Sequence, residues 1–343
     1  MPIFAGITNC QNQRMKNYLF LLSLLLIFIL PVQSQMFNRD KPFAHTFSIV
    51  ARDSVTGEMA VGVQSHWFNV GILVPWAEAG VGAIATQSFI DKTYGYRGLQ
   101  LLKQGYSATE VLDSLTKADP GRDVRQVAII DSKGRVAAYS GKGCIQYASH
   151  IIGADFSVQS NMMLGDQVCI SMAKAFRASV GKPLAERVLI ALNAAQKAGG
   201  DARGKQSAAL VVVPAHASDK PWNDRIFDVR VDDSPAPLPE LNRLYKVQVA
   251  YNHMNNGDLA TEKNDMTKAM QEYGAAMKMF PENLEMQYWT AITLANNKEV
   301  DKALPILKRV FAKDPNWKVL TRRLPPVNLL IVSEADYKKI LAL

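Results

Sequence analysis

The chain has 343 residues, 48% of them hydrophobic and 20% charged, with a formal net charge of +8. That length is enough for about two domains. The basic excess suits an anionic surrounding, but the Lys and Arg residues are scattered, with no run and no aromatic interleaving, which argues against a nucleic-acid binder.

The chain opens on a leader. Met15 to Ser34 reads as a secretory signal peptide, with Lys16 as its positive start, an apolar run from Tyr18 to Leu30, and a small-residue exit at Val32-Gln33-Ser34. Residues 1–14 carry no pattern, and Met15 alone begins a complete signal. Cleavage is expected near Ser34–Gln35, leaving 35–45 as a short pro-segment or linker. The apolar run is about 13 residues against the ~20 of a bilayer span. The mature chain is therefore expected to be exported, periplasmic or extracellular, with no stable membrane span. Cys10 leaves with the leader. Cys144 and Cys169 remain, and fit either one disulfide or two small buried thiols. His45, His66, His150, His216 and His253 form no metal-binding spacing. No metal and no cofactor are expected.

In Thr46 to Asp53, Phe47, Ile49 and Ala51 alternate with Ser48, Val50 and Arg52, the period of a strand. A threonine at the head of such a strand carries chemistry if the chain is cut before it. The freed α-amino group titrates near neutrality and can act as base for its own hydroxyl. Further strands are predicted at Met59 to Gln64, Val81 to Thr86 and Ser207 to Val213. Gln126 to Ile130 and Arg135 to Tyr139 flank a hairpin turn, Asp131-Ser132-Lys133-Gly134. Helices are predicted at Tyr96 to Gln104, Ala108 to Lys117, Asp166 to Ser179 and Leu184 to Ala198. Clustered strands separated by paired helices point to α+β layers rather than a doubly wound sheet.

Polar residues collect at the strand ends. Gln64 and Ser65 close the first hairpin and should return near Thr46. Thr86 and Gln87 end the next apolar strand. These four are candidate substrate contacts or buried, satisfied strand ends. Asn161 offers an amide N–H to an oxyanion, or makes a turn. Asp201 to Ser207 is the densest polar cluster, behind Gly199 and Gly200. There Asp201 or Ser207 can meet a terminal amine, Arg203 can clamp a carboxylate or pair with Asp201, and Gln206 is a further substrate contact. Glu78 is a candidate acid–base group or a turn cap. His66 and His150 are weaker candidates.

Asp232 to Pro239 holds three prolines at alternate positions, so 233–239 is read as a semi-rigid linker between a domain at 46–232 and a helical one at 240–343. Beyond it Ala269, Tyr273, Ala276 and Pro281 recur 34 residues later as Ala303, Leu307, Val310 and Pro315, the tetratricopeptide period. Gln287 stands where a tryptophan is usual, and Thr290-Ala291 replaces Leu-Gly. Two repeats are fewer than normally stand alone. They should pack on the first domain, on a closing helix from Glu334 to Leu341, or on a second copy, so a homo-oligomer stays open.

From Thr46 to about Val213 the chain resembles the domain-of-unknown-function 1028 family. The resemblance is carried by Thr46 to Asp53, Gly62 to Ser65, Val74 to Ala83, Ala85 to Gln87, Tyr94-Gly95, Arg125 to Val127, Asn161 to Met163 and Gly199 to Ala209. It implies an α+β fold, a four-layer αββα sandwich like that of N-terminal nucleophile hydrolases, with the nucleophile opening the first strand of one sheet. The expected function is an exported amidohydrolase acting on a small or non-peptide amide. Thr46 would be the nucleophile, with Asn161, Asp201 and Ser207 beside it. His45 is not the small residue a signal peptidase needs, so a second cleavage, of the His45–Thr46 bond, is required, and the Thr46 hydroxyl is a candidate to carry it out. The alternative is a non-catalytic scaffold whose repeats dock a peptide, a protein or a cell-wall partner.

Overall fold

Alternation along the strands decides how this chain layers. In the strand Thr46–Arg52 (β2), Phe47, Ile49 and Ala51 point to one side, while Val50 points to the other with Ser48. Both sides are buried, so this strand must lie inside a sheet covered on both faces. The computed structural model describes residues 43–44 and 46–343. The expected leader, its cleavage point, most of the pro-segment and His45 lie outside these residues.

Among the described residues, eleven strands form two antiparallel sheets. The first joins Phe43–Ala44 (β1), Pro75–Glu78 (β4), Gly82–Phe89 (β5), Arg125–Asp131 (β6) and Val136–Ser140 (β7). Its spine is β5-β6-β7, and β1 and β4 both pair with β5. The second joins β2, Met59–Ser65 (β3), Ser149–Gly153 (β8), Phe156–Ser160 (β9), Ser207–Val213 (β10) and Phe227–Val231 (β11), in the order β11-β10-β3-β2-β9-β8. Val50, Val61, Val63, Val211, Ala83, Ala85, Ala128 and Ile130 form the dry layer between the sheets.

Each outer face carries a helix pair. Thr93–Lys103 (α1) and Ala108–Ala118 (α2) pack through Leu99, Leu102, Val111 and Leu115 on Ile84, Val127 and Ile129 of the first sheet. Ser107 and Glu110 close a reciprocal capping box at the start of α2. Gln167–Ala178 (α3) and Leu184–Lys197 (α4) cover the second sheet. Their close approach rests on Gly62, where a Cβ would overlap Val188 Cγ1. The predicted turn at 131–134 forms, with Gly134 at φ 82° and the Asp131 carboxylate accepting from the backbone N–H groups of Lys133 and Arg135.

The proline-rich segment differs from its reading as a linker. A helix, Pro237–Glu262 (α5), starts inside it. Pro237 and Pro239 occupy the first turn, where a missing N–H costs no helical bond. Leu238, Leu241 and Tyr245 are buried against the second sheet and α4. The rest of α5 continues into Met266–Met279 (α6), Leu284–Asn296 (α7), Val300–Lys313 (α8), Asn316–Thr321 (α9) and Glu334–Leu341 (α10). The repeated small and bulky positions are buried, Ala269, Tyr273 and Ala276 on α6 and Ala303, Leu307 and Val310 on α8, while the repeated prolines, Pro281 and Pro315, are exposed after each helix. Ile340 of the closing helix enters the same cluster as Leu307 and Val310. Among the described residues no helix is long and apolar enough to cross a membrane.

Candidate functional site

Thr46 opens β2 opposite Ser65, and Ser65 stands opposite Ser207 on β10. Three hydroxyl residues thus form a row across three neighbouring strands, on the face turned to the other sheet. The Thr46 hydroxyl donates to Ser65 Oγ at 3.1 Å. Its carbonyl oxygen accepts from Gln87 Nε2 at 3.2 Å and from the Asn161 backbone N–H at 3.1 Å. Thr46 is fully buried. Just upstream, Phe43 and Ala44 pair with Phe89 and Ser88 on the first sheet. The chain therefore crosses from one sheet to the other immediately before the threonine.

Behind Thr46 a buried polar network joins the two sheets. Ser48 Oγ donates to Gln87 Oε1 at 2.6 Å and accepts from Gln159 Nε2 at 2.6 Å. Gln87 Nε2 and Asn161 Nδ2 both donate to Gln126 Oε1, at 2.7 and 2.8 Å. Gln126 Nε2 in turn faces Ser140 Oγ, the Ser149 carbonyl and the Ser160 carbonyl. Ser140 Oγ lies 2.9 Å from His150 Nδ1. These groups are amides, hydroxyls and one imidazole. Burial lowers the His150 pKa, which favours the uncharged ring. The network therefore supplies oriented dipoles and no fixed charge.

Several candidates fall elsewhere. Gln64 follows Val63 on β3, so it faces α4, on the opposite side of the sheet from Thr46, and its buried amide has no hydrogen-bond partner among the described residues. Thr86 likewise faces away from Gln87, with its hydroxyl 3.4 Å from the Asp91 carbonyl. Glu78 pairs with Gly82, five residues along β5 from Gln87, which is ~16 Å at strand spacing. It bonds Lys103 at 2.6 Å. Glu78 is too far along the strand to serve a substrate at Thr46.

The Asp201 to Ser207 cluster is a brace. Asp201 takes two bonds from the Arg203 guanidinium, at 3.1 and 2.7 Å, and one from the His66 backbone N–H at 3.1 Å. Arg203 thus spends its planar fork on Asp201, the bland alternative to a substrate clamp. Gly199, Gly200 and Gly204 adopt φ of 118°, 67° and 118°, as the predicted loop required. Ser207 Oγ donates to the Trp67 carbonyl at 2.6 Å and accepts from the Val70 N–H at 3.0 Å. Gln206 reaches Asp233 at an exposed edge. The structure therefore brings Thr46, Ser65, Gln87 and Asn161 together. It sets Asp201 and Ser207 to hold the loop that follows Ser65.

Ser48, Gln126 and Gln159 were missed. Each is a lone polar side chain in an otherwise apolar strand, a signal that reads as ordinary alternation until the facing sheet is known. Cys144 and Cys169 are free thiols. Burial raises both pKa values, most plainly for Cys169, which sits 3.1 Å from Ser160 Oγ. Among the described residues no group of His, Cys, Asp and Glu is arranged to hold a metal ion.

A model described as a family of unknown function, DUF1028, matches residues 46–241. A tetratricopeptide-repeat model matches residues 260–322. The crystal structure of a DUF1028 protein from Silicibacter pomeroyi aligns at 29% identity and a TM-score of 0.53, covering 59% of this chain and 88% of that one. No curated protein matches the chain.

Proposed function

The chain belongs to the DUF1028 family, and from that premise we propose an exported amidohydrolase made as a precursor, with Thr46 as its nucleophile. In this reading the two sheets with a helix pair on each outer face are the four-layer αββα sandwich of N-terminal nucleophile hydrolases. One observation carries the proposal. Thr46 heads a central strand with its hydroxyl on Ser65 and its carbonyl gripped by Gln87 and Asn161. Nothing about packing requires so polar a setting at that point between two apolar sheets.

Full burial of Thr46 fits a precursor. Cleavage of the bond before Thr46 would release β1 from the edge of β5 and leave an α-amino group beside the hydroxyl. That amine takes the hydroxyl proton as Oγ1 attacks the amide carbonyl. The tetrahedral oxygen needs donors, and the amide side chains of Asn161 and Gln87 stand nearest the strand end. The amine returns the proton to the leaving nitrogen. A water, deprotonated the same way, then hydrolyses the threonine ester. The described network carries no acid and no lysine, and its one imidazole, His150, is engaged at Ser140, so the α-amino group is the base that lies beside the hydroxyl. With Arg203 held by Asp201, the substrate is a small or non-peptide amide that needs no cationic clamp.

Mass spectrometry of exported protein tests this. The expected mature chain begins at Thr46, and a β-lactone probe adds its mass to the Thr46 peptide. Thr46→Ala should stay unprocessed, take up no probe and lose amidase activity by at least about 10³-fold. Amidase activity retained by Thr46→Ala ends the proposal.

A second reading has its own support. The tetratricopeptide match over 260–322 points to protein–protein contact. The helical region is then a docking module, whether or not the first domain turns over a substrate.

A further inference from the structure

The helical region contains a groove of about 570 Å³ between α5 and α7, floored by Tyr273 of α6. Tyr251, Asp258 and Glu262 lie at i, i+7 and i+11 on α5, so one helix face presents all three. Glu285 and Trp289, four residues apart on α7, face them. The groove therefore holds three carboxylates and three aromatic rings. No lysine or arginine is among the described residues that line it, although the chain as a whole carries +8.

Two of the carboxylates are oriented but not neutralised. The Tyr251 hydroxyl donates to Glu285 at 2.5 Å, and the Tyr273 hydroxyl donates to Asp258 at 2.6 Å. A phenol fixes a carboxylate's direction without cancelling its charge. Among the described residues none of the three acids is in an ion pair. Elsewhere in the helical region carboxylates do find cations, as Glu282 does with Lys313 and Glu299 with Lys302.

We propose that this groove binds an extended peptide through a lysine or arginine side chain. The aliphatic stem would lie along Met254 and Met286, and the cationic head would sit among Asp258, Glu262 and Glu285 beside the aromatic faces. Cation–π attraction and charge complementarity both favour that occupant over a neutral or acidic one. The inference rests on the docking reading of the helical region and is independent of any chemistry at Thr46.

Calorimetric titration of the full chain tests it, using a nine-residue peptide of alternating lysine and alanine and the same peptide acetylated at every lysine. The lysine peptide should bind. Acetylation, or a rise in salt from low to high ionic strength, should each weaken binding on the order of tenfold or more. The paired change Asp258→Asn with Glu262→Gln preserves side-chain shape. It should cost about tenfold in affinity with an unchanged melting temperature. Equal binding of the two peptides, lost in Trp289→Leu, would overturn cation recognition and leave the docking reading standing. If neither peptide binds, both fall.

Discussion

Gln126 shows what a single buried amide can hold together. Its Oε1 accepts from Gln87 and Asn161, and its Nε2 faces Ser140 Oγ and the carbonyls of Ser149 and Ser160. Those partners lie on both sheets and on the turn after β9. Replacing it by leucine preserves volume and removes every bond at once. Two amide donors and two carbonyls would then each lose their bond to Gln126, at about 1–3 kcal/mol for each group left unsatisfied. Such losses do not add fully, so Gln126→Leu is expected to cost about 3–4 kcal/mol, read as a fall in the urea midpoint at unchanged slope. A loss below about 1 kcal/mol would mean that water or rearranged side chains replace the amide. Thr46 depends on this support. Gln87, which holds its carbonyl, is itself held by Gln126.

Among the elements, β8 is the most exposed to conditions. It is the edge strand of the second sheet, and His150 ties it to Ser140 of the first. Desolvation lowers the folded pKa of His150 below its ordinary 6.5. Between that lowered value and 6.5 the unfolded chain binds more protons than the folded one. Stability therefore rises with pH through this window and is lost as pH falls from 6.5, with a slope of at most about 1.4 kcal/mol per pH unit. Urea unfolding of the parent and of His150→Gln at pH 7.5 and 5.5 isolates the effect, since other groups cancel in the difference. The parent should lose more stability than the variant on acidification, and equal losses would refute the assignment. The edge strand also marks where sequence stops informing. Long periodic elements were legible: α1 to α4, β2, β3, β6, β10 and the closing helix form within a few residues of their predicted bounds. The short strands β4, β8, β9 and β11 were not. β9 reads Phe-Ser-Val-Gln-Ser, and its Gln159 points into a network whose other half comes from β5 and β6. Ser65 was foreseen beside Thr46 because register places strand ends together, whereas Gln87 and Asn161 were named for their amide chemistry, with no register to place them. Gln64, Thr86 and Glu78 were misplaced because a face, or a distance along the strand, separates them from it.

At the scale of the molecule, α5 decides how the two halves are related. Its first turns belong to the core of the sheet region, where Leu238 and Leu241 are buried and Tyr245 packs on Phe227 with ring centroids 5.1 Å apart. Its later turns carry Ala250 and Met254 into the helical cluster with Tyr273. The family match also runs past the prolines, to residue 241. One continuous helix thus serves two cores, and the hydrophobic division falls near Val249 rather than at the prolines. A truncated chain ending at 232 would uncover the seat of two leucines and a tyrosine. At about 1.5–3 kcal/mol for each large apolar side chain, the loss is about 5 kcal/mol, comparable with the entire stability of a marginal domain. A chain ending at 249 keeps those side chains and discards only the repeats. Thermal unfolding should show a cooperative transition for the longer piece. The shorter one should bind a hydrophobic dye and lack a sharp transition. Equal melting temperatures for the two would show that the first turns of α5 lend the sheets nothing, and that the prolines are the true division.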